Sequence, residues 1–467
     1  MPDPDEEPHQ RCQTPLKSSA YEDARAFIDG LLTRDRPQAA LPDTIKLRRV
    51  EVLLHRLSDP HQAVRPVLIA GTKGKGSTAA MLASMIHAAG HRVGLYTKPH
   101  LVDYRERIRV DDALISPEDL AALVELARPH VEAMAGDPLG LPTYFELSVA
   151  LAFLHFARSR VDLAIVEVGL GGRLDATNIA DPLVSVITPV SYDHMDVLGG
   201  TLDQIAREKA GIIRTEGAVV SAPQSPEPRA AIIDVCARHR AQLWLVDEVM
   251  RWQALDATLY EQVFELAGPW GDYGRLRLPL VGAHQLTNAA TAVAAAEVLA
   301  GRGVILKAGA IRRGLAAVRW PARVEVVGER PYIVVDVAHN PASLGALRQT
   351  LETMFAGRRI ILVFGMIATH DHRACTSLIA PLADVVIATT PQHVKPLPAG
   401  RLAEEAARYA PRVEVIDDRE AAVRRAQALA GPDDVVVITG SFFLVGDLRD
   451  TLLRELPQQA RTQVRPT

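Results

Sequence analysis

Val67-Leu68-Ile69-Ala70-Gly71-Thr72-Lys73-Gly74-Lys75-Gly76-Ser77-Thr78 decides how this chain is read. An apolar run ends in a glycine-rich, hydroxyl-bearing loop. A helical pattern follows at Ala79, Met81, Leu82, Met85 and Ile86. Strand, glycine loop and helix in that order aim backbone N–H groups at a phosphate, and the helix N-terminus adds a favourable partial charge. Lys75 would reach the outer phosphates, and Ser77 or Thr78 would meet phosphate or Mg²⁺. The spacing departs from the common G-x-x-x-x-G-K-S/T, because Gly76 separates Lys75 from Ser77. The simpler reading is a tight turn. Glycines accompanied by Lys75 and Ser77 in this context favour phosphate binding.

Outward from that loop, 467 residues are too many for one ordinary core, so two or three domains are expected. A net charge of −4 gives no reason to propose nucleic acid or an anionic membrane as partner. Cys12, Cys236 and Cys375 form no CxxC pair and suit a reducing cytoplasm. No apolar run is long enough to span a membrane, and the first residues are polar and acidic. Residues 1–18 read as a disordered tail.

Tyr21 to Leu32 and Ile45 to Leu57 read as amphipathic helices. His91 to Thr97 reads as a strand running into a cationic segment, Lys98 to Arg109. Arg105, Arg107 and Arg109 alternate there, either as a solvated loop or facing an anionic ligand. Leu163 to Gly169 reads as a buried strand with Glu167 near its C-terminal end, where open α/β sheets hold ligands. Val184 to Thr188 is a further strand, leading to Asp193-His194. Glu167 is a candidate metal ligand or an ion-paired strand residue, and His194 a ligand or a hydrogen-bonded loop histidine. Gln262 to Leu278 reads as hairpin-rich, and helices are expected over Gly282 onward and Val304 to Leu315. Pro321 after the second helix marks a domain boundary. Beyond it, strands at Tyr332–Asp336, Arg359–Gly365, Val385–Ala388, Val413–Ile416 and Asp434–Gly440 alternate with helical patterns, implying a parallel sheet.

With those segments laid out, the chain resembles the folylpolyglutamate synthase/dihydrofolate synthase family, a branch of the Mur ligases. The resemblance covers about residues 19 to 455. It rests on Gly71-Thr-Lys-Gly-Lys-Gly-Ser77, on Glu167-Val-Gly-Leu-Gly-Gly-Arg-Leu-Asp-Ala-Thr-Asn178, and on Asp193-His194 followed by Glu208-Lys209-Ala-Gly-Ile-Ile213. His284-Gln285 with Asn288, Trp320-Pro-Ala-Arg323, Asp336 with Ala338-His-Asn-Pro341, and Gly440-Ser-Phe-Phe-Leu-Val-Gly446 complete it. The resemblance implies an α/β fold. A P-loop Mur-ligase-type domain would span residues 19–320 and a smaller C-terminal Rossmann-like domain residues 321–467. It implies ATP-dependent addition of L-glutamate to a folate or dihydropteroate carboxylate through an acyl phosphate, with Mg²⁺, in a cytoplasmic monomer. By the same resemblance, Gly71 to Thr78, Asn288, Arg323, Asp336 and His339 contact ATP, with Lys75, His194 and Lys209 catalytic. Glu167, His194 and Lys209, the last as a carbamate, are expected at the metal. Thr143, Phe145 and Asp175 match positions near the pterin-bearing substrate.

Two departures stand out. The family's Ser-Pro-His, whose serine helps to ligate Mg²⁺, is Lys98-Pro99-His100 here. An ammonium cannot ligate a metal. Either Thr97 supplies the hydroxyl, or Lys98 serves as a substitute charge, or the first metal site is impaired. The family's Asp-Lys-Asp is Thr369-His370-Asp371. The competing readings are a Mur-type ligase acting on another carboxylate and a catalytically silent nucleotide-binding protein.

Overall fold

The computed structural model describes residues 19–32 and 43–455. The expected tail over residues 1–18, with Cys12, lies outside the described residues. The first sheet contains β1 (Pro66–Ala70), β2 (Val93–Tyr96), β3 (Ile108–Val110), β4 (Ala113–Leu114), β5 (Leu163–Glu167), β6 (Val184–Ile187), β7 (Ala218–Ser221) and β8 (Gln242–Leu245). Their order is β4-β3-β2-β5-β1-β6-β7-β8. Neighbours from β2 to β8 run parallel, while β3 and β4 fold back antiparallel at one edge.

β1 sits inside this sheet and is buried throughout. Val67 and Ile69 pack towards the helices Lys75–Ala88 and Ala283–Gly301. Leu68 and Ala70 pack on the opposite side with the helices Ser19–Leu32 and Tyr144–Ser159. A strand covered on both faces is written as a continuous apolar run, which is why it was legible.

Three antiparallel strands follow: β9 (Arg251–Ala257), β10 (Gln262–Gly268) and β11 (Gly271–Leu278). The last sheet holds β12 (Glu325–Glu329), β13 (Tyr332–Val335), β14 (Ile360–Phe364), β15 (Val385–Ala388), β16 (Val413–Val415) and β17 (Val435–Thr439), in the order β12-β13-β17-β14-β15-β16. All its pairs are parallel except β12 with β13, so the expected parallel sheet carries an antiparallel edge. It too is covered on both faces: Leu362 and Val437 pack to one side, Ile361 and Val436 to the other. The helix expected over Val304 to Leu315 runs Ala308–Ala317 instead. Among the described residues, no helix is long and apolar enough to cross a membrane.

The strand order turns at β1: the chain passes to β2 on one side and later, from β5, to β6 on the other. Crevices open at the C-terminal ends of strands at such points. The segments after β13, β14 and β17 of the last sheet line the same opening.

Candidate active site

Gly71 and Gly74 let the loop after β1 lie against its neighbours. Gly71 has φ 141°, and a Cβ there would sit 2.0 Å from Thr188 Oγ1 and 2.8 Å from the Thr188 carbonyl oxygen. Gly74 has φ 82°, and a Cβ would sit 2.2 Å from Asn288 Oδ1. Each position is therefore closed to side chains both by conformation and by space. The helix Lys75–Ala88 starts directly from Gly74, so its free N–H groups open onto the cavity.

That cavity measures about 570 Å³. Gly71 to Ser77, Lys98, Glu167, His194, Lys209 and Asn288 form one wall; Arg323, Asp336, His339 and His370 form the other. Thr78, Thr97, Thr143, Phe145 and Asp175 are not on its surface. Thr78 is fully buried in the helix, with its hydroxyl unpaired. Thr97 is 3% exposed at the end of β2, its amide bonded to the Arg107 carbonyl. Thr143 caps the helix Tyr144–Ser159, its hydroxyl accepting from the Glu146 amide, while Glu146 pairs with buried Arg49 at 2.7 Å. Phe145 and Asp175 lie just behind the wall, since a Cβ on Gly169 would be 2.6 Å from both.

The loop's cations are held in place. Lys75 Nζ donates to the carbonyls of Gly71 at 3.1 Å and Thr72 at 3.4 Å. It is thus folded over the loop, half-buried, rather than extended into water. Lys209 is 4% exposed and donates to the Gly71 carbonyl at 3.0 Å. Burial, reinforced by the Lys75 charge, lowers its pKa to about 7. Lys73 pairs with Asp193 at 3.1 Å, and burial brings its pKa down to about 8 against the pull of that carboxylate. Asp193 also accepts from Asn340 Nδ2 at 3.5 Å, so it spans from the phosphate-type loop to the second wall. The sequence offered Asp193 only as the neighbour of His194; nothing in it predicted this bridge. His194 has φ 48°, starts the short helix Met195–Leu198, and lies 3.8 Å from Asp193.

Asp336 holds the second wall by its backbone, its oxygens accepting from the amides of Val324 at 2.9 Å and Ala338 at 2.7 Å. Arg323 lies over the rings of Trp320 and Phe442. His339 Nδ1–H donates to the Val337 carbonyl at 2.8 Å, and its ring lies 4.9 Å from that of His370. Burial lowers the pKa of His339 to about 3 and that of His370 to about 4, so both are neutral near pH 7. His370 was not among the expected site residues, although the departure at Thr369-His370-Asp371 flagged its segment.

The alternating arginines do not share a ligand. Arg105 pairs with Asp103, Arg107 donates to His100 Nδ1, and Arg109 bonds the Glu106 carbonyl and lies over Trp320. A short helical turn, Tyr104–Arg107 capped by Asp103, breaks the alternation before β3 begins.

Among the described residues, no group of three or more His, Cys, Asp and Glu is set to hold a metal. Magnesium bound with a nucleotide needs only one or two carboxylates, with phosphates and water completing its shell. Glu167, 5% exposed and with its pKa raised by burial, fits that need. The nearby ammoniums of Lys98 and Lys209 do not.

Residues 69–296 match the Mur ligase middle domain, and residues 322–442 match the Mur ligase, glutamate ligase domain. A Bacillus subtilis (strain 168) protein named dihydrofolate synthase/folylpolyglutamate synthase is 34% identical over 441 residues, 93% of this chain and 99% of that protein. The solved Mycobacterium tuberculosis folylpolyglutamate synthase complexed with ADP is similar with a TM-score of 0.86 at 32% identity, over 95% of this chain and 100% of that one. Escherichia coli FolC in complex with DHPP and ADP gives 0.81 at 31% identity, over 94% and 99%.

Proposed function

The chain belongs to the folylpolyglutamate synthase/dihydrofolate synthase family, and from that premise we propose how its residues carry out the reaction. It is an ATP-dependent glutamate ligase. The observation that carries the reading is the facing of the Gly71–Ser77 loop and the Arg323, Asp336 and His339 wall across one cavity. ADP in the M. tuberculosis and E. coli structures supports a nucleotide between them, and DHPP in the latter supports a pteroate-type acceptor beside it. The units meeting here are taken as residues 19–320 and 321–467.

The acceptor carboxylate is a poor electrophile. Its oxygen attacks the γ-phosphorus of ATP, the bond to the β-phosphate oxygen breaks, and ADP leaves an acyl phosphate. The glutamate amine then attacks the acyl carbon; the C–O bond to phosphate breaks and the amine loses a proton. Such a transfer needs positioning and neutralisation of charge more than covalent help. The free N–H groups at the helix start, from Lys75 to Ser77, take the phosphates, while the amides of Thr72 and Lys73 donate to the Pro189 carbonyl and hold the loop's shape. Lys75 leaves the Gly71 and Thr72 carbonyls for the outer phosphates, and Arg323 approaches from the other wall. Asn288, packed on Gly74, and Asp336, held by the amides of Val324 and Ala338, each shape their own wall of the nucleotide pocket.

Mg²⁺, when bound with ATP, would neutralise the β- and γ-phosphate oxygens. Glu167 is the residue best suited to hold it, with His194 at the rim; Thr97, buried outside the cavity lining, is not assigned to it. Lys209, with its amine largely free of its proton above pH 7, is suited to carbamylation, which would turn a cation into an oxygen donor. Phe145 and Asp175 are assigned to the pterin side, and Thr143 positions Phe145 through its helix cap. The buried free thiols of Cys236 and Cys375 suit the cytoplasm, where we place the reaction.

Purified protein with ATP is expected to release phosphate only when L-glutamate and either dihydropteroate or a reduced folate are both present. Release indifferent to these two substrates would overturn the reading, and the preferred acceptor would assign dihydrofolate synthase, folylpolyglutamate synthase or both activities.

A further inference from the structure

Four ammoniums border the cavity: Lys73, Lys75, Lys98 and Lys209. Three are accounted for, Lys73 by Asp193, and Lys75 and Lys209 by the Gly71 carbonyl. Lys98 differs. Its backbone amide donates to Glu167 Oε2 at 3.2 Å, which fixes the root of the side chain at the cavity wall. Among the described residues, its Nζ makes no hydrogen bond or ion pair and rests 5.5 Å from the centre of the Phe145 ring.

A cation on a ring face is held less strongly than one making a charge-assisted hydrogen bond to a carboxylate in a partly dry site. Asp175 and Glu167 attract the ammonium, and Lys75 and Arg107 repel it. Yet Asp175 already accepts from the Leu170 amide at 2.8 Å and from the Thr177 amide and hydroxyl at 3.0 and 2.6 Å, and offers Lys98 no direct bond. A second group beside the same ring is also unpaired. The Tyr96 ring lies 6.5 Å from that of Phe145, and its hydroxyl is buried without a partner. A flexible cation and a buried hydroxyl, both without partners, thus flank one aromatic side chain between the phosphate-type loop and the Asp175 segment.

We propose that Lys98 binds the carboxylate of the aromatic acceptor, the group to be phosphorylated, and that the Phe145 face is the place from which it reaches that carboxylate. The inference deepens the functional reading above and rests on it. Lys98 donates a hydrogen bond and transfers no proton, and the carboxylate oxygen remains the nucleophile. A mobile ammonium here also brings together two anions, the carboxylate and the γ-phosphate, that would otherwise repel each other.

The test compares wild type with Lys98→Met and Lys98→Arg. The acceptor KM is measured at saturating ATP and glutamate, and the Kd of a non-hydrolysable ATP analogue by calorimetry. The expected result is an acceptor KM raised at least tenfold in Lys98→Met and partly restored in Lys98→Arg, with the analogue Kd within twofold throughout. An acceptor KM within twofold of wild type in the Met variant overturns the inference, as does an analogue Kd weakened as much as the acceptor KM. A wild type without acceptor-dependent turnover overturns the functional reading first, and the inference falls with it.

Discussion

Gly446 and Leu101 meet backbone to backbone: a Cβ built on Gly446 would lie 2.0 Å from the Leu101 carbonyl oxygen. Gly446 belongs to the helix Phe442–Glu455 after β17, and Leu101 to the segment that begins at Lys98. The Leu101 side chain packs on the core of the last sheet. The segment carrying Lys98 is therefore anchored on the opposite half of the molecule. In Gly446→Ala two effects compete. Replacing a helical glycine stabilises by about 1 kcal/mol. Forcing a methyl group against a carbonyl costs about 1–3 kcal/mol, and the contact should win. The expected outcome is a lower denaturation midpoint together with a raised acceptor KM. A more stable variant with unchanged KM would show that the two backbones are not in contact.

Asp193 ties Lys73 to Asn340 across the cavity. Removing it as Asp193→Ala leaves a half-buried ammonium without its partner and cuts the link between the walls. The expected result is nucleotide affinity weakened by roughly tenfold, equivalent to about 1.4 kcal/mol. Asn340→Ala should reproduce a smaller part of that loss, because Asn340 also caps the helix Pro341–Met354 and offers only a long contact to Asp193. Calorimetry with ADP on both variants checks this. Equal affinity in Asp193→Ala and wild type would leave the bridge without a functional role.

These contacts explain which parts were legible in the sequence. β1, β5, β6, β14 and β17 are covered on both faces and read as apolar runs, and the glycine loop follows directly from β1. β9 escaped because it is exposed along almost its whole length and carries Arg251, Gln253 and Asp256, which give no apolar signal. β12 is short and holds Gly328 and two glutamates, so its strand character comes from pairing with β13. In the site, residues adjacent in sequence to the loop were recognisable. The Asp193 bridge joins residues 120 and 147 positions apart, and no local pattern encodes it. Arg105, Arg107 and Arg109 misled for the opposite reason: their alternation is local, whereas their partners are set by a turn.

Lys75→Ala is expected to lower ligation by at least about a hundredfold, the scale of losing one charge-stabilising donor at a transferring group. The fold should lose no more than about 1 kcal/mol, since Lys75 is half-buried and its two carbonyl partners can be reached by water or, at Gly71, by Lys209. Phosphate release and a thermal melt, measured side by side, separate the two effects. Ligation near wild-type rates would withdraw Lys75 from the outer phosphates. A collapse of the melt would instead make it a residue of the fold.

Lys209 carries the last prediction. Its pKa in the folded chain is lowered by burial, and then by Lys75, from 10.5 to about 7. Above about 10.5 both folded and unfolded chains hold the neutral amine, and the group costs no stability. As pH falls through the window from 10.5 to 7, the unfolded chain takes up a proton that the folded chain refuses. Stability therefore drops by up to about 1.4 kcal/mol for each pH unit, and levels off below the folded value. Lys209→Met removes this dependence while keeping the volume. In CO₂-free buffer, urea unfolding of the two proteins should differ increasingly in favour of the Met variant between pH 9.5 and pH 7. Parallel curves would mean that the amine is not held neutral. The same neutrality prepares Lys209 to accept CO₂, so bicarbonate should stabilise wild type and leave Lys209→Met unmoved. If the neutral amine serves as a carbamate, Lys209→Ala will lose most of its activity and regain part of it with added short carboxylates, which can supply the missing oxygen donor. An Ala variant that no small acid rescues, together with an intact mass of wild type lacking the added carboxyl group, would leave Lys209 as an amine that braces the Gly71 carbonyl and nothing more.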